Sequence, residues 1–113
     1  MIAHIVLFRP RADLSPAART ALAAAFEAAL REIPSIRRAR VGPRVLHGRA
    51  YETLMQVDYQ YAAVLEFGDA AGLQAYLEHP THQQLASQFF EAFEQALMYD
   101  FELQEGAAAL ASR

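Results

Sequence analysis

The run Glu78-His79-Pro80-Thr81-His82 constrains this chain more than any other stretch. Proline lacks an N–H and has a fixed φ, so it suits the first turn of a helix and breaks one further in. The residue before it is pushed toward extended geometry. Apolar residues stand at helical spacing on both sides: Leu73, Tyr76 and Leu77 before the corner, and Leu85, Phe89, Phe93 and Ala96 after it. The spacing predicts one helix ending near Glu78 and a second running from about Pro80 through Ala96. His82 falls in the first turn of the second helix, where unpaired N–H groups and the helix dipole disfavour imidazolium. A neutral histidine close to Tyr76 can do acid–base work, and it can equally be a packed core residue.

The remaining elements follow from local pattern. Ile2 to Phe8 is rich in β-branched and aromatic residues and reads as a first strand. Its alternation puts His4, Val6 and Phe8 on one face and Ala3, Ile5 and Leu7 on the other. Both faces are apolar, so both need cover. Ser15-Pro16 starts a helix that runs to about Ile33 and stops before Pro34, with Leu22, Phe26, Ala29, Leu30 and Ile33 on one stripe. A second strand, about Ile36 to Val45, is interrupted by Gly42-Pro43. It is crowded by Arg37, Arg38, Arg40 and Arg44, which reads as a charge-protected edge or as an anion-attracting rim. Residues 47–60 read as loop, with a helical turn over 50–55, in a length range where lids are found. Tyr61 to Phe67 is a third strand, and Asp69 caps the helix that leads to the corner. Leu97 to Leu103 alternates as the last strand, leaving 106–113 as a flexible alanine-rich tail.

The order β-α-β-β-α-(corner)-α-β is that of a split βαβ, ferredoxin-like α+β fold with an antiparallel sheet. One sheet face takes the helices. The other is expected to carry Glu66, Asp100 and Glu102 beside the apolar residues of strand one, and such a face predicts an obligate partner.

Composition removes several chemistries. The chain of 113 residues is one domain, and at 54% hydrophobic residues it can bury a core. It has no cysteine, which excludes disulfides, thiolate nucleophiles and cysteine-based zinc sites. All ten basic residues are arginine, so lysine Schiff-base chemistry is excluded too, and the arginine–alanine bias fits a GC-rich bacterial genome. The net charge of −3 argues against a nucleic-acid partner. No run approaches the ~18 apolar residues of a membrane helix. No signal-like segment opens the chain, so a cytoplasmic protein is expected.

Ala3-His4-Ile5-Val6-Leu7-Phe8, Ile33-Pro34, Val64-Leu65-Glu66-Phe67, Ala75-Tyr76-Leu77-Glu78-His79-Pro80-Thr81-His82 and Tyr99-Asp100-Phe101 appear in that order. The set resembles the stress-responsive α/β-barrel (Dabb) family, over a domain of residues 1–105. The resemblance implies a ferredoxin-like subunit whose open sheet face pairs with a second copy to close a homodimeric barrel. In a plant polyketide cyclase of that family the working residues are a strand-one histidine, a tyrosine before the corner and the second corner histidine. The matching positions are His4, Tyr76 and His82. Tyr61 stands where that enzyme has histidine, and Phe93 where it has tryptophan.

Two readings stay open at this point. In one, His82, Tyr76 and His4 serve acid–base chemistry of lyase or cyclase type. The small aromatic or polyketide-like substrate would sit in a pocket formed by Val6, Phe8, Leu22, Phe26, Leu30, Tyr61, Leu85, Phe89 and Phe93. In the other, the protein is a non-catalytic dimeric module that binds a ligand or contributes only stability. Three imidazoles could hold zinc, but the corner aims His79 and His82 differently and no carboxylate is evident, so neither metal nor cofactor is expected.

Overall fold

A computed structural model describes residues 1–111. In chain order the elements are β1 (Ile2–Pro10), α1 (Pro16–Glu32), β2 (Arg38–Pro43), β3 (Tyr61–Phe67), α2 (Ala70–Glu78), α3 (Pro80–Ala92) and β4 (Phe93–Glu102). Short 3-10 turns occupy Ala50–Leu54 and Ala108–Ala111. The four strands form one antiparallel sheet in the order β2-β3-β1-β4, with the helices on one face. This is the α+β ferredoxin-like arrangement that the element order predicts. Among the described residues no helix is long and apolar enough to cross a membrane.

β1 is an inner strand, paired on both sides, and its alternation decides what lies on each sheet face. Val6 and Phe8 join Ala63, Leu65 and Phe67 of β3 beneath Ala29 of α1, Ile33 at its C-terminal cap, and Leu85 and Phe89 of α3. Leu22 and Phe26 pack half-buried at the border of this core. Aromatic edges fill much of it: the Phe89 and Phe93 rings lie 4.0 Å apart, and Phe8 lies 4.6 Å from Phe93.

Two expectations about β4 are corrected. Phe93 and Ala96 belong to the strand, because α3 ends at Ala92. Phe8 and Arg9 of β1, and Pro10 after a register shift, draw residues 93–96 into the ladder, and the Arg11 N–H donates to the Ala92 carbonyl at 2.9 Å. Tertiary pairing thus overrides a helical spacing that ran four residues too far. The second correction is of face. Asp100 lies opposite His4 and Glu102 opposite Ile2, so both stand on the helix side of the sheet. The open face receives Leu97, Tyr99 and Phe101 instead, opposite Leu7, Ile5 and Ala3. Glu66 does lie on the open face, where its Oε1 accepts from Arg40 of the edge strand β2 at 3.1 Å. β2 is shorter than the sequence suggests, and Pro43 ends it rather than interrupting it.

The corner forms as the sequence dictates. His79 is extended (φ −68°, ψ 138°) and serves as the N-cap of α3, its Nδ1 accepting from the Thr81 N–H at 3.1 Å. The Thr81 hydroxyl donates to Glu32 Oε2 at 2.6 Å, tying the corner to the end of α1. Losing a side-chain cap costs about 1 kcal/mol. His79→Ala should therefore lower the melting temperature by roughly 4 °C, while His79→Asn, which keeps an acceptor, should stay near wild type. Thermal unfolding followed by circular dichroism checks this, and equal losses in both variants would mean that the cap contributes nothing.

Candidate functional site

Four elements bring polar side chains to one place under the helices. β1 supplies His4, α2 supplies Tyr76, the first turn of α3 supplies His82, and β4 supplies Asp100. The antiparallel register sets His4 opposite Asp100, and His4 Nδ1 lies 2.6 Å from Asp100 Oδ1. A carboxylate can only accept, so the His4 Nδ1–H is the donor of this pair. The His4 side chain is 9% exposed and that of Asp100 is 42% exposed, so the pair bridges the cavity and the solvent-facing edge strand.

Tyr76 is buried between the two histidines. Its ring meets His82 edge-on, with centroids 4.5 Å apart, and lies 5.7 Å from His4. Burial, aided by the negative charge of Asp100, pushes the Tyr76 hydroxyl up to about 12, so it stays a protonated donor at neutral pH. Burial pushes the His82 imidazole below its ordinary value; the Leu77 carbonyl partly opposes this and His4 reinforces it. The downward direction agrees with the expectation, but burial rather than the helix start is its leading cause. Its Nδ1 is buried and makes no hydrogen bond.

The two corner histidines have separate fates, since the ring of His79 is spent on the helix cap while that of His82 faces inward. His47 lies apart in the β2–β3 loop, hydrogen-bonded to Tyr51. Among the described residues no three His, Cys, Asp or Glu side chains converge as metal ligands would.

His4, Tyr76 and His82 border a cavity of about 150 Å³ whose other walls include Val6, Leu85 and Phe89. Phe8, Leu22, Tyr61 and Phe93 line a separate cleft of about 380 Å³ between α1 and the sheet, and Phe26 touches both spaces. Leu30 borders neither of them. The apolar residues singled out in the sequence are therefore divided between two spaces. Asp100 was missed because its face was misread, and Met98 and Phe90, at the cavity mouth, for the same reason of strand and helix ends. The available signal was the alternation of β4, in which Met98 and Asp100 share a side.

No curated protein sequence matches this chain. Among solved structures it is similar to the hydroxynitrile lyase from Passiflora edulis (19% identity over 94% of this chain and 95% of that one, TM-score 0.79). It is also similar to SnoaB, a cofactor-independent oxygenase from Streptomyces nogalater (16% identity, 93% and 94% covered, TM-score 0.65). A third is a dimeric ferredoxin-like protein of unknown function from Thermobifida fusca (24% identity, 90% of each chain covered, TM-score 0.71). At these identities the likeness is one of fold. The sequence profile of the stress responsive A/B barrel domain matches residues 2–103, and the chain belongs to that family.

Proposed function

We propose that this protein binds a small aromatic or carbonyl compound and moves a proton on it without a cofactor. The observation that carries the reading is the His82 imidazole, its pKa lowered by burial, at an apolar cavity shared with Tyr76 and His4. The neutral His82 imidazole takes a proton from the carbon next to a carbonyl. The Tyr76 hydroxyl donates to the oxygen on which the enolate charge develops, the protonated His82 returns the proton, and His4, held by Asp100, orients the substrate. A cavity near 150 Å³ matches a single ring, being the size of an engineered protein cavity that takes benzene. The reacting part of the substrate is therefore one ring or smaller, short of a whole linear polyketide. Relatives of this fold named as a lyase and as a cofactor-independent oxygenase support the reading as analogy.

A specific observation favours a second reading. The cavity is smaller than the ~300 Å³ at which ligand pockets usually begin, as expected of a binding or structural module without catalysis. Under either reading the protein acts as a homodimer through its open sheet faces. Tyr99 and Phe101 stand half-exposed there, and a relative of the same fold is described as dimeric.

Acetophenone and benzaldehyde are suitable probes. At ten times its dissociation constant a ligand stabilises the fold by ~1.4 kcal/mol, so the melting temperature of wild type should rise by about 6 °C, and that of His82→Ala should not. Deuterium exchange of the acetophenone methyl group in D₂O, followed by NMR, tests the chemistry. Wild type should accelerate it, and His82→Ala should lose the acceleration by ~10²-fold or more. Binding without any acceleration over buffer would favour the non-catalytic module.

A pH dependence follows as well. The folded state resists protonating His82, so its folded pKa lies below the unfolded value of about 6.5. The associated stability is complete above the unfolded value and is lost as pH falls through the depressed folded one. Between pH 7.5 and 5 the melting temperature of wild type should fall further than that of His82→Gln. Parallel falls would show that the imidazole is not what acid attacks.

A further inference from the structure

We propose that the β2–β3 loop, residues 44–60, is an arm that packs against the second copy of this chain. The inference rests on the reading that the open sheet faces pair two copies. The loop exposes large apolar side chains: Val45 at 77%, Leu46 at 68%, Leu54 at 72% and Met55 at 55%. Such a density of exposed aliphatic side chains marks an interaction surface.

The loop is nevertheless built. Glu52 accepts from the backbone N–H groups of His47 and Gly48 at 2.8 and 2.7 Å, and His47 Nε2 lies 2.7 Å from the Tyr51 hydroxyl. Gly48 takes φ +79°, the left-handed conformation that lets the chain reverse there. Arg44 donates to Asp58 Oδ1 at 2.7 Å, tying the two ends of the loop together, and Arg9 of β1 donates to the Asp58 carbonyl at 3.3 Å, fastening that end to the sheet. These polar bonds hold the segment in shape while its aliphatic side chains point to solvent.

Position names the occupant. A groove of about 560 Å³ joins the loop to the open sheet face, with Leu54, Met55 and Val57 on one side and Leu7, Ala62 and Leu97 on the other. Leu7, Ala62 and Leu97 belong to the face that reads as pairing two copies. The cavity with His4 and His82 has no wall from this loop, so the loop is not a lid over it. The loop crest continues the apolar face through this groove.

The test is self-association of the full chain by sedimentation equilibrium. Wild type should dimerise. Leu54→Ser/Met55→Ser should raise the dimer dissociation constant at least tenfold with an unchanged far-UV spectrum, and Tyr99→Arg should abolish dimerisation. A dimer that the loop variant leaves unweakened, but Tyr99→Arg dissociates, overturns the arm and spares the sheet-face reading. A monomeric wild type overturns both. Because the chain has no cysteine, Leu54→Cys gives a milder second readout. Its maleimide labelling should slow at least fivefold as protein concentration rises through the wild-type dissociation constant, and a concentration-independent rate overturns the arm.

Discussion

The constraint beneath this structure is that β1 is apolar on both faces while the helices cover only one of them. An inner strand with Val6 and Phe8 on one side and Ile5 and Leu7 on the other cannot be satisfied by a single layer of helices. The helix side closes into a core of aromatic edges. The other side stays open, and β4 makes it more apolar by adding Leu97, Tyr99 and Phe101. Burying aliphatic and aromatic surface is worth about 25 cal/mol per Å², so an exposed face of this kind is a standing drive toward association.

The candidate site depends on the same strand by another route. A histidine in the middle of a buried strand needs a polar partner, since an unpaired imidazole in a core is costly. The partner of His4 comes from the edge strand β4, where the Asp100 carboxylate reaches solvent while its oxygen reaches the ring. His82 is the opposite case. It sits where a proline-initiated helix starts against the sheet, and its Nδ1 is left without a partner. His79 shows that the same corner can use an imidazole purely to hold backbone. One motif thus carries a capping histidine and an inward-facing one three residues apart.

Much of this was legible in the sequence wherever local chemistry decides. Pro80, Ser15-Pro16 and Asp69 mark helix starts that the structure keeps, because cap and proline effects act within a few residues. The strand-one alternation, the placement of His82 and the ferredoxin-like order were equally readable. What failed was anything set by pairing between distant strands. Phe93 and Ala96 fit a helical stripe by spacing, yet Arg9 and Pro10 draw this segment into the sheet. The separation of Met98 and Asp100 from Tyr99 and Phe101 was visible, but not which set faces the helices. Periodicity gives two faces without labelling them. The expected site residues then divided between two spaces because Phe8 and Phe93 lie at the far end of the sheet from His4.

That unlabelled choice couples the two halves of the molecule. Side chains in a strand alternate with period two, so a one-residue slip of β4 against β1 would send Asp100 to the open face and Tyr99 toward the helices. The register that sets Tyr99 beside Ile5 and Leu97 beside Leu7 is the register that sets Asp100 beside His4. The apolar open face and the His4–Asp100 pair therefore cannot be had separately. Any interaction that holds the open face in place also fixes the tautomer and orientation of His4. The hydrogen bond to Asp100, in turn, opposes the slip that would spoil the open face. The apolar open face and the geometry of the candidate site are two consequences of a single strand register.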